Sequence, residues 1–64
     1  LSLKNIREDI VFEIELRQSL IYSSLRSAEE EGDIDIGIMT RDAHRKEIYI
    51  LKQRLKRIDE QEVE

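Results

Sequence analysis

The chain has 64 residues, no cysteine, no proline and one histidine; 41% of its residues are charged and the net charge is −4. A chain this short holds at most one small core, and such chains commonly lean on a disulfide, a metal or a partner chain. The missing cysteines exclude disulfides and thiolate metal sites, and His44 cannot make a zinc site alone, so a partner chain is the staple that remains.

The absence of cysteine fits a reducing, cytoplasmic setting. The negative total opposes whole-chain attraction to nucleic acid or to an anionic membrane surface. No apolar run approaches the ~20 residues of a membrane span, and Asp and Glu interrupt every apolar stretch, unlike a secretory signal. The chain starts at Leu1 rather than Met, as a segment of a longer protein or a processed chain would.

In chain order, the first element is a helix expected over residues 3–31. At about 100° per residue, Leu3, Ile6, Ile10, Ile14, Ile21, Leu25 and Ala28 share one face. Ser2 is one candidate cap; Asn5, with Glu8 three residues on, is the other. Gly32 follows the last periodic residue, where a helix stop belongs.

Residues 32–39 read as a connecting loop that holds the only two glycines, Gly32 and Gly37. Within it Ile34, Ile36 and Ile38 alternate with Asp33 and Asp35. If extended, the isoleucines would point one way, either closing the open end of a hairpin core or pairing as a short strand with a second copy. The segment 37–42 resembles the turn of short C-terminal SHOCT-type hairpins, in which a glycine, an apolar pair and a threonine precede acidic residues that open a helix. Their acidic run and the aromatic residue at the His44 position are missing here, and the resemblance implies no residue role.

A second helix is expected over residues 40–60, with Thr40 as its cap and Asp42 in its first turn. His44, Ile48, Leu51, Leu55 and Ile58 alternate spacings of four and three, a heptad seam. The acidic tail 61–64 opposes the helix dipole, so fraying is expected there, or continuation into a longer helix of a parent protein. The fold expected is therefore all-α: one domain over residues 1–64, an antiparallel two-helix, coiled-coil-like hairpin that pairs into a four-helix bundle as a dimer.

Two patterns point beyond the hairpin core. Phe12, Leu16 and Leu20 are spaced four apart, well away from the seam, with Ser19, Ser23 and Ser27 close by. One partner helix cannot cover both faces. Contiguous apolar patches mark contacts, so these three, together with Ile34 and Ile36, are the expected partner interface. On the second helix Arg41, Arg45, Lys52 and Lys56 share a face beside Tyr49, a combination able to track a phosphate backbone. Charge is segregated as well. Residues 1–37 carry four basic and nine acidic groups, and residues 41–57 carry seven and two. Antiparallel pairing is expected to bring unlike charges together.

Chemistry is not indicated. Glu31, Asp33, Asp35 and Asp42 are spaced like a calcium loop, but Ile36 stands where that loop requires glycine and Asp42 where it requires a bidentate glutamate. No serine is set against His44 by spacing, and a two-helix hairpin has little room for a pocket. No catalytic residue, metal ligand or cofactor is assigned; His44 is expected to be a neutral, hydrogen-bonded seam residue with the capacity to titrate near neutrality. The expected role is a non-enzymatic protein–protein interaction module, self-associating or adaptor-like. The alternatives are a small nucleic-acid-binding regulator using the basic face, or an inhibitor docking on an enzyme through the apolar stripe.

Overall fold

The first turn of the chain is set by one hydroxyl. Ser2 is extended (φ −94°, ψ 156°), and its Oγ accepts from the backbone N–H of Asn5 at 3.2 Å, so Ser2 rather than Asn5 caps the first helix. From there the computed structural model, which describes residues 2–62, contains two helices, α1 (Leu3–Glu31) and α2 (Ile34–Glu62). They pack against each other as a helical hairpin 51 Å long and about 15 Å across.

The two helices are joined by Gly32 and Asp33 alone. Gly32 has φ 77° and ψ 18°, the left-handed conformation that costs a side-chain-bearing residue roughly 1–2 kcal/mol. This conformation lets the Gly32 N–H donate to the Glu29 carbonyl at 3.2 Å and the Asp33 N–H to the Ala28 carbonyl at 2.8 Å. That pair of reverse bonds is a Schellman closure, which satisfies carbonyls α1 would otherwise leave orphaned. The Asp33 carbonyl then accepts from the Gly37 N–H at 3.4 Å, opening α2, with Asp35 in its first turn where the dipole favours an acid.

The expected loop over 32–39 is thus corrected. Thr40 is not a cap but lies inside a helix that starts six residues earlier. Neither the extended segment nor the hairpin turn suggested for 37–42 is present, and the strand pairing through Ile34, Ile36 and Ile38 falls with them. The alternation misled because Ile34 and Ile38 also stand four apart, so the same residues satisfy a helical period.

Gly37 is buried inside α2 and serves a different purpose from Gly32. A Cβ there would lie 2.7 Å from the Ala28 Cβ and 3.4 Å from Leu25 Cδ2. Glycine is required because the two backbones approach that closely just past the turn. At the far end α2 runs to Glu62, past the expected end at residue 60, and positions 63–64 of the expected acidic tail lie outside the described residues.

The core is a single seam. Ile10, Ile14, Ile48 and Leu51 are buried together, with Ile6, Ile21, Leu55 and Ile58 packed around them and Ala28 buried near the turn. Leu3, expected on this face, is instead exposed. Each seam isoleucine or leucine contributes about 1.5–3 kcal/mol when fully buried. Among the described residues, however, none is buried beyond the reach of solvent.

The close approach gives a test with opposing terms. Gly37→Ala gains about 1 kcal/mol of helix propensity but forces two Cβ atoms together, and the thermal unfolding midpoint should fall. Ala28→Gly added to Gly37→Ala returns the space, so the double variant should melt above Gly37→Ala alone.

Candidate interaction surfaces

Among the described residues, polar contacts between the helices sit at two levels. Near the chain ends Arg7 Nε donates to Asp59 Oδ1 at 2.8 Å, both groups half exposed. Further along the seam Arg17 Nη1 lies 3.2 Å from His44 Nδ1. A guanidinium has only donors, so Nδ1 is the acceptor in this contact. His44 therefore has a polar partner on the seam, well inside α2 rather than at its start. Arg17 Nη2 also reaches Glu13 at 3.5 Å, while Arg17 Nε is buried without a hydrogen-bond partner. Sequence reasoning missed Arg17. Its position three residues after Ile14 and four before Ile21 was the available signal.

The segregated charges are not consumed inside the hairpin. Among the described residues, the ion pair between the helices, Arg7–Asp59, has the opposite polarity to the segregation, with the cation on α1 and the carboxylate on α2. The remaining pairs, Glu13–Arg17, Arg26–Glu30 and Arg41–Asp42, are local. Among the described residues Arg45, Lys52 and Lys56 make no ion pair, and neither do Glu8, Asp9 and Glu15.

Phe12, Leu16 and Leu20 are all exposed, Phe12 at 67% of its full accessibility. The step of seven from Leu20 leads to Ser27, which with Ser24, Ala28, Ile36, Gly37 and Thr40 lines a shallow groove of about 210 Å³ beside the turn. Ile36 therefore borders the apolar stripe's flank of the hairpin. Ile34 does not, because two residues of helix turn it about 200° away. Instead it begins the row Ile34, Ile38, Arg45, Lys52, Lys56, all exposed, with Tyr49 at its edge. The extended reading grouped Ile34 with Ile36, and the helix separates them. Arg41 belongs to the same row, but it is half buried and turned to Asp42.

These rows lie on opposite flanks. Ile10 and Ala28 both belong to the buried face of α1. At about 100° per residue, Arg7 stands roughly 60° to one side of Ile10, and Ser27 roughly 100° to the other side of Ala28. Arg7 meets Asp59, which continues the Arg45–Lys52–Lys56 row three residues on.

No helix among the described residues is long and apolar enough to cross a membrane, and no group of three or more described His, Asp or Glu residues is placed to hold a metal. The residues spaced like a calcium loop do not form one, since Asp35 and Asp42 are in α2. Comparison with protein-family models, with curated proteins and with solved structures yields no match.

The Arg17–His44 layer interrupts an otherwise aliphatic seam. A half-buried charge with an unmet donor contributes less than a packed leucine pair of similar volume. Arg17→Leu/His44→Leu should therefore raise the thermal unfolding midpoint. A lower midpoint would show that the polar layer stabilises more than apolar packing can.

Proposed function

We propose that the chain is a non-enzymatic protein–protein interaction module that associates with itself. The observation that carries this reading is the stripe Phe12–Leu16–Leu20, three large apolar side chains in line on the face of α1 that α2 does not cover. A seam only one layer deep supports it, because a core that fully encloses no side chain among the described residues gains from a second helical layer. Ser19 and Ser23, exposed beside the stripe, allow a second helix to come close.

A second reading is favoured by the unpaired basic row. Arg45, Lys52 and Lys56 with the exposed Tyr49 offer cations and a stacking surface to a phosphate backbone. The net charge of −4 weighs against it. Binding to random DNA or RNA that weakens steeply with salt would support this alternative, because each phosphate contact releases counterions.

Sedimentation equilibrium tests self-association directly, and substitution tests its site. Leu16→Asp should dissociate the oligomer and lower the unfolding midpoint, since burying an unpaired carboxylate in an apolar contact costs more than the roughly 2–7 kcal/mol of a neutral polar group and forces dissociation or protonation. Leu55→Asp, on the seam, should unfold the chain altogether. If Leu16→Asp leaves both mass and melting unchanged while Leu55→Asp unfolds the chain, the stripe is ordinary surface and the proposal fails.

A further inference from the structure

Self-association through the α1 stripe leaves open what the stripe meets on the second copy. Three observations decide between another stripe and a different surface. The first is charge at the rim. Glu8 and Asp9 stand four and three residues before Phe12, and Glu15 stands three after it; all are exposed and, among the described residues, unpaired. A stripe packed on its own counterpart would place two acidic surfaces together, and like charges across a contact oppose it. The second is the row on α2, where Arg45, Lys52 and Lys56 are exposed and equally unpaired, and Ile34, Ile38 and Tyr49 supply apolar area between them. Lysine and arginine stems add further apolar cover while their charged heads reach outward. The third is placement. The stripe and the basic row lie on opposite flanks of the hairpin, so a twofold axis cannot bring both into the same pair of contacts.

We infer that the stripe Phe12–Leu16–Leu20 of one copy docks on the row Ile38–Arg45–Tyr49–Lys52–Lys56 of a second copy, head to tail. This rests on the self-association proposed above. The contact is heterologous: every copy offers one acidic-rimmed apolar ridge and one basic-rimmed acceptor, and each copy in a chain uses both. Such contacts close into a ring if the rotation allows and otherwise extend into a filament. The unspent charge segregation of the hairpin has a purpose here, because it selects stripe-to-row over stripe-to-stripe pairing.

Two variants that each remove one surface provide the test. Leu16→Asp removes the ridge and keeps the row; Lys52→Glu/Lys56→Glu reverses the row and keeps the ridge. All three substituted side chains are exposed in the hairpin. Circular dichroism confirms that each variant is helical; should either lose its helix, Leu16→Gln and Lys52→Gln/Lys56→Gln replace them. In sedimentation equilibrium the wild-type chain should grow past dimer mass with concentration and lose mass as sodium chloride is raised. Each variant alone should associate about tenfold more weakly or worse, as expected when an interface loses one essential side. Mixed one to one, the two variants should form a dimer and nothing larger, because only one intact ridge and one intact row remain. If Lys52→Glu/Lys56→Glu assembles like the wild type, the ridge meets another ridge; self-association then stands and the head-to-tail contact is overturned. A wild-type chain that stays monomeric at all concentrations and salts overturns both.

Discussion

Two helices can enclose only one face of each other, and every other feature of this chain follows from that limit. The seam of Ile10, Ile14, Ile48 and Leu51 is closed by neighbours on its two sides and by nothing above or below. Hydrophobic stabilisation scales with area removed from water. A hairpin 51 Å long and about 15 Å across removes little of it per residue. The chain extends its seam by economy at the turn. Gly32 reverses direction with the least backbone, and Gly37 lets α2 begin packing at once against Ala28 and Leu25. A longer loop would have removed two helical turns from the contact.

The seam is not uniform, and its one polar level has a structural consequence. Arg17 and His44 face each other where two aliphatic side chains would pack better. A polar pair in a heptad-like seam fixes the register of the helices more than it stabilises them, since any slip leaves both groups unpaired. Arg7–Asp59, nearer the chain ends, adds a second register mark on the other flank. Between them the two contacts align α1 and α2 along most of their length, while the glycines align them at the turn.

Charge serves a different end from burial. Surface ion pairs contribute about 0–1 kcal/mol each, too little to hold a fold. Among the described residues, Glu8, Asp9 and Glu15 around Phe12 and Arg45, Lys52 and Lys56 of the α2 row make no ion pair inside the hairpin. Their separation onto opposite flanks gives the molecule two unlike faces, and unlike faces discriminate between partners and orientations more than they add affinity.

Much of this was legible in the sequence because helical periodicity is a local property. The seam of α1 from Ile6 to Ala28, the seam of α2 from His44 to Ile58, and the stop at Gly32 follow from spacing and from the one residue type at home in the left-handed conformation. The exposed stripe was legible for the same reason, since Phe12, Leu16 and Leu20 cannot share a face with Ile10 and Ile14. What the sequence could not decide was the meaning of Gly37 and of Arg17. A glycine reads alike whether it breaks a helix or admits a neighbouring one, and only the 2.7 Å that a Cβ would leave to Ala28 separates the two. That ambiguity displaced the start of α2 by six residues and put Ile34 on the same face as Ile36. An arginine on a seam likewise has no partner until the second helix presents one. Periodicity along one helix determined which faces are apolar. The tertiary structure decided which of them are covered, because covering depends on how near the other backbone comes.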